Sequence, residues 1–261
     1  MTLPKRLWRA APPLLVSVVL LAAWEAIVRI AAIPPFELPA PSLILTTLYF
    51  DRETLLTSLL VTLRITFSAL LAATLGGTLI AIVFSRWRWL ERSFLPIAII
   101  LQVTPIIAIA PLLLIYLNAA DAVLVCAFLV AFFPILANTS IGLASTDRNL
   151  VDLFKLSGAS AWQEIFLLRL PAAMPYFMAG LKIGGGLALI GAIAGELAAG
   201  ASGDAAGLAF RIVEAGYRMN IPRMFAALLL ISFTGLAIYG LMAFASEMLL
   251  RHWHDSARSQ D

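Results

Sequence analysis

Residues 152–183 read DLFKLSGASAWQEIFLLRLPAAMPYFMAGLKI, and the rest of the chain is arranged around this stretch. Its first half carries Asp152, Lys155, Ser157, Ser160, Gln163, Glu164 and Arg169, polar enough to sit in water. Between them Leu153, Phe154 and Leu156, then Trp162, Ile165 and Phe166, fall at helical spacing. Gly158 punctuates the run and Ser160 can cap a second helix after it, so the stretch reads as helix, turn, helix. Pro171 and Pro175 then close the loop and open a long apolar span. A bent amphipathic hairpin between two such spans is a knob that another protein can grip in a groove.

Working outward, apolar residues make up 62% of the 261 and charged ones only 13%. A soluble domain runs about 45–50% apolar and about 25% charged. With a mean hydropathy of +0.96 the chain is an all-α polytopic membrane protein. The net charge of +3 would elsewhere suggest nucleic acid, but the basic residues cluster in loops, where they set orientation. Cys126 lies alone inside an apolar run, which excludes a disulfide within the chain and predicts a packed thiol.

Six spans are expected, at about 13–33, 59–84, 94–117, 121–143, 174–199 and 225–250, in one transmembrane domain with a polar loop at 145–172. The first follows Lys5, Arg6 and Arg9 and is too long for a signal-peptide core, so it reads as an uncleaved helix. Glu25 and Arg29 within it stand four apart and can pair on one face. The Pro-rich connector from Ile33 to Ser42 cannot stay helical. Trp and Arg interleave at 86–92, where a membrane-interface belt explains both better than single-stranded nucleic acid does. Pro105 and Pro111 inside the third span predict a kink or local unwinding.

The fifth span carries Gly180, Gly184, Ala188 and Ala192 four apart, a small-residue pattern that lets helices approach closely. Glu196 is next in that series, and the pattern predicts that it faces protein or water rather than lipid. It is expected to pair with a nearby donor, Arg211 or Arg218; the plainer reading is a cap on the following segment. That segment turns amphipathic at 208–218 and reads as an outer re-entrant or surface helix.

The basic residues test the topology. With the N-terminus inside, the inner set is Lys5, Arg6, Arg9, Arg86, Arg88, Arg92, Arg148, Lys155, Arg169, Lys182, Arg251 and Arg258. The outer set is Arg29, Arg52, Arg64, Arg211, Arg218 and Arg223. Together they account for all 18 lysines and arginines, and the inner excess favours both termini and the hairpin in the cytoplasm.

No phosphate-binding G-x-x-x-x-G-K-[ST] is present; Gly184-Gly185-Gly186 leads into Leu-Ala-Leu with no lysine. ATP hydrolysis by this chain is therefore not expected, nor is a cofactor. His252, His254 and Asp255 are poorly spaced for a metal, since i and i+2 point apart on a helix. A membrane-embedded enzyme using Glu196, Lys182 and these histidines on a lipid is one alternative. A stand-alone secondary transporter is the other, although no internal repeat is visible.

The spacing of the opening stretch is more specific than its composition. Asp152-Leu153-Phe154, three residues, Gly158, nine residues, Leu168, one residue and Leu170-Pro171 resembles the EAA loop of binding-protein-dependent ABC importer permeases. There the pattern is Glu-Ala-Ala, three residues, Gly, nine residues, Ile, one residue, Leu-Pro; here Leu153 and Phe154 replace the two small residues. The continuations at 158–163 and 170–197 are similar to the branch importing nitrate, taurine, alkanesulfonates and vitamin precursors. The resemblance implies a type I importer-like bundle in a bacterial inner membrane. It also implies a permease homodimer, two ATPase subunits that bind the ATP, and an external binding protein that delivers the solute. On this pattern the ATPase-coupling residues are Asp152, Leu153, Phe154, Lys155, Leu156, Gly158, Ala159, Ser160, Trp162, Leu168, Leu170 and Pro171. The fifth span is placed beside the path, with Gly184, Ala188, Ala192 and Glu196 as its lining.

Overall fold

A computed structural model describes residues 3–200 and 206–251. Its elements are α1 (Leu3–Ile30), α2 (Pro41–Phe50), α3 (Arg52–Arg86), α4 (Arg88–Val103), α5 (Ile106–Tyr116) and α6 (Ala119–Ala144). They continue with α7 (Arg148–Leu156), α8 (Ala161–Glu164), a π turn (Ile165–Arg169), α9 (Leu170–Ala199), α10 (Leu208–Tyr217) and α11 (Ile221–Leu250). Among the described residues all regular structure is helical, as expected of a chain whose backbone must satisfy itself in lipid. Four helices, Arg52–Arg86, Ala119–Ala144, Ala161–Ala199 and Ile221–Leu250, are long and apolar enough to cross a membrane, while α4 and α5 reach that length and apolarity only together, as a bent pair. The first expected span lies in α1.

The core is the seam between α6 and α9, with α3 against both. Small residues make it possible. A Cβ on Gly191 would sit 2.7 Å from the Cα of Ala127, and one on Gly195 2.9 Å from that of Val123. Gly180 and Gly184 approach α6 in the same way, at Asn138 and Ile135. Gly184, Ala188, Gly191 and Gly195 advance by four, three and four residues, which keeps one face toward a partner; steps of four alone drift around the helix. Sequence reading found the first half of this stripe and missed Gly191 and Gly195.

Three expectations change. The third span is not one helix: α4 and α5 meet at 98°. Pro105 has no N–H and pushes Thr104 to an extended conformation (φ −67°, ψ 125°), so the break falls there, while Pro111 is carried inside α5. The connector after α1 regains helix as soon as Pro41, which starts α2 at its first position. Pro171 and Pro175 do not end the loop either, because Ala161–Ala199 runs on as one helical stretch. The π turn widens the helix just before Leu170-Pro171, with the Leu170 N–H reaching back five residues to the Ile165 carbonyl.

Candidate functional site

The hairpin is built from local bonds. Asp147 caps α7 by accepting from the Asn149 N–H at 2.8 Å. At the other end the Ala159 N–H donates to the Phe154 carbonyl and the Gly158 N–H to the Lys155 carbonyl, both at 3.0 Å. This pair of bonds needs a left-handed residue, and Gly158 supplies it at φ +72°. No atom stands within 4 Å of where a Cβ would be, so the demand for glycine is purely conformational. Ser160 then opens α8 with a reciprocal capping box. Its hydroxyl accepts from the Gln163 N–H at 3.3 Å, and the Gln163 side chain accepts from the Ser160 N–H at 2.7 Å.

The result is a rigid knob with an apolar outer face. Leu153, Leu156, Trp162, Phe166 and Leu167 are exposed, Leu156 to 87%, and the rings of Trp162 and Phe166 stack with centroids 6.0 Å apart. Phe154, Ala159, Leu168, Leu170 and Pro171 are half-buried at the base. Asp152 and Lys155 form an exposed ion pair at 3.5 Å on the rim. Arg169 roots the knob: its Nε donates to Glu164 at 2.6 Å and an Nη to the Leu143 carbonyl at 3.3 Å, at the end of α6. Glu164 and Arg169 are five apart, a separation that a π turn brings onto one face. Sequence reading missed this anchor because an α-helix would place the two residues on different sides.

At the opposite end of the bundle, Glu196 is 4% exposed. It does not pair with Arg211 or Arg218, as expected from sequence; both of those pair with Glu214. Instead it accepts from the Thr62 hydroxyl at 2.7 Å and from the Ala209 N–H at 2.9 Å. Thr62 in turn accepts from the Leu208 N–H at 2.9 Å. The first two amides of α10 therefore point at a hydroxyl of α3 and a carboxyl group of α9, which satisfy donors that the start of a helix leaves without partners. A Cβ on Gly207 would overlap that carboxyl group, so glycine before α10 leaves the room in which it sits. Arg211 Nε donates to Ser58 Oγ at 2.8 Å, one turn from Thr62 on α3. Thr62, Ser58 and Gly207 carried no sequence signal of this role. Glu196 thus caps the following helix, while its edge borders a cavity of about 530 Å³ shared with Arg64, Ser68 and Asp121.

Gly184, Ala188 and Ala192 are buried between helices of this chain, Gly184 and Ala188 in the α6–α9 seam and Ala192 beside Ala69 and Ala127. Lys182 and Glu196, fourteen residues apart, do not converge; the Lys182 ammonium lies 5.7 Å from the Tyr239 ring centre. Among the described residues no three His, Cys, Asp or Glu gather as for a metal. His252, His254 and Asp255 lie outside the described residues.

Residues 73–251 match the family model of binding-protein-dependent transport system inner membrane components. The match starts inside α3, includes the hairpin and the α6–α9 seam, and ends just past α11. The chain belongs to this family. It is 34% identical to a probable ABC transporter permease protein of Haemophilus influenzae, over 88% of this chain and 93% of that one. It is 32% identical to the riboflavin transport system permease protein of Chloroflexus aurantiacus, over 95% and 92%. Identity to the formylaminopyrimidine transport permease protein of Halalkalibacterium halodurans is 29%, over 94% and 97%. Relatives named for aliphatic sulfonate, nitrate and taurine transport match at 26–27%. The chain is thus a multi-pass permease subunit of an ABC importer, not an enzyme, and works with a separate ATPase and a solute-binding protein.

Proposed function

We propose that the α7–α8 hairpin is where the ATPase docks, and that two copies of this chain with two ATPase subunits form the importer. The observation that carries this reading is a water-soluble knob, held rigid by its own caps, that exposes Leu153, Leu156, Trp162 and Phe166. Aromatic and aliphatic anchors on a preformed helix are what a groove binds, with Asp152 and Lys155 as rim charges. Closure of the ATPase pair on ATP would push the knobs, and the continuous Ala161–Ala199 helix would carry the push into the bundle. The binding protein meets the opposite end, where α10 lies. The solute is a small one of the kind named for the relatives: a sulfonate, taurine, nitrate or a vitamin precursor.

The excess of basic residues on the hairpin side supports both termini in the cytoplasm. Cysteine labelling in a Cys126→Ala background tests the arrangement. Ser202→Cys should react with an impermeant thiol reagent from outside, and Ser160→Cys only after permeabilisation. For docking, Leu153→Ala with Trp162→Ala should lose co-purification of the ATPase while the permease still inserts. Reversed labelling, or full ATPase retention by the double variant, would refute the proposal.

A further inference from the structure

Behind the hairpin, between α3, α4, α6 and α7, lies a second cavity of about 430 Å³. Its lining includes four cations, Arg88, Arg148, Lys155 and Arg169, and two anions, Glu91 and Asp152. Two of the cations are already engaged, Lys155 with Asp152 and Arg169 with Glu164. The side chains of Arg88 and Arg148 make no hydrogen bond or ion pair among the described residues. Glu91 is likewise unpaired, so the uncommitted groups keep a positive balance.

Two hydroxyls on the wall point the same way. Ser85 Oγ on α3 and Ser140 Oγ on α6 are buried atoms with no hydrogen-bond partner, and both residues line this cavity. Serine in a helix normally returns its hydroxyl to the carbonyl four residues back, as Ser93 and Ser232 do here. A buried hydroxyl left unmade costs free energy unless something in the cavity meets it. Exposed guanidiniums on the lining, with hydroxyls in the wall that a side-chain rotation can turn inward, suit a compact group with several acceptor oxygens, and a guanidinium fork matches such an oxyanion in two parallel bonds.

We propose that this cavity is a binding site for a phosphate oxyanion, with Arg88 and Arg148 supplying charge and Ser85 and Ser140 supplying directed donors. The chemistry fits the phosphodiester of an anionic lipid or free inorganic phosphate. Trp87 and Trp89, residue types that favour the headgroup level, flank Arg88 in the sequence. It does not depend on which side of the membrane the hairpin faces, so its test stands apart from the topology and docking experiments.

The full chain, purified in neutral detergent, would be challenged with phosphatidylglycerol, with phosphatidylcholine and with inorganic phosphate. Native mass spectrometry would read retained lipid and thermal shift would read the free ion. Retention of phosphatidylglycerol over phosphatidylcholine, falling at least tenfold in Arg88→Gln/Arg148→Gln and several-fold in Ser85→Ala/Ser140→Ala, supports the site with lipid as its source. Stabilisation by inorganic phosphate alone, lost in the same variants, supports it with the free ion. Arg92→Gln removes a neighbouring charge outside the cavity and should change neither. The serine pair separates a built site from loose attraction to positive charge. If neither probe binds, or if binding follows net charge alone and survives the serine substitutions, the proposal fails.

Discussion

The α7–α8 hairpin and helix α10 are both short amphipathic elements hung between spanning helices, at opposite ends of the bundle. They are held in different ways. The hairpin is tied almost wholly by bonds between residues no more than five apart: Asp147 to Asn149, Phe154 to Ala159, Ser160 to Gln163 and Glu164 to Arg169. Helix α10 begins on Glu196 and Thr62, the latter 146 residues from the Leu208 amide it receives. The hairpin is stiff in itself and leaves its apolar face open, whereas α10 has its start fixed by two other helices. A part stiff in itself can be gripped and moved as a unit; a part seated on others follows their spacing. Separation of α3 from α9 would take Thr62 away from Glu196 and unseat α10.

The largest effect expected from this contrast is at Gly207. Gly207→Val puts a side chain where the Glu196 carboxylate sits and expels it from its seat. Leaving the buried groups it meets, the Thr62 hydroxyl and the Ala209 N–H, without a partner costs about 1–3 kcal/mol each, so the variant should insert poorly or unfold early on heating. Near-normal thermal stability would show that α10 is held by other contacts. Gly158→Val strikes the other region more gently. A Cβ at φ +72° costs about 1–2 kcal/mol, confined to the turn; the permease should persist while ATPase co-purification is lost. If Gly158→Val lowers global stability as much as Gly207→Val, the hairpin is not an independent unit.

Smaller still is the cap. Ser160→Ala removes one half of the capping box and should cost about 1 kcal/mol, read as faster amide exchange over 161–165 with the α6–α9 seam unaffected. Uniform acceleration across both segments would erase the distinction between local and seated regions. The least effect belongs to Glu214 on α10. Its hydrogen bond from Arg211 is the main cause that holds its carboxyl below the ordinary glutamate range, opposed by partial burial and aided by the charges of Arg211, Arg218 and Arg223. The stabilisation from a lowered carboxylate is complete above its unfolded pKa, about 4.3, and fades as pH falls through the folded value. Acidification below about pH 4 should therefore loosen α10, an effect absent in Glu214→Gln. A pH response identical in that variant would place the sensitive group elsewhere.

The membrane class, the bundle's long helices and the hairpin were legible in the sequence because each rests on short-range rules. Apolar length marks a span, a left-handed residue marks a turn, and serine three residues before glutamine marks a cap. The gaps from Asp152 to Pro171 carried the family for the same reason, since spacing along a helix is spacing along the chain. The third span's break was foreseen as a kink, yet two prolines were candidates and only Pro105 bends the chain. Tertiary structure made the other decisions. It turned Glu196 from a member of a small-residue stripe into the acceptor beneath α10, because residues far apart in sequence meet there: Thr62, Gly207 and Ala209. It also left the Ser85 and Ser140 hydroxyls without partners, in the wall of the cavity that Arg88 and Arg148 line. A carboxylate or a hydroxyl can be read as polar from the chain alone; which donor meets it depends on how three helices pack, and that packing follows from small residues whose effect is felt only across the seam.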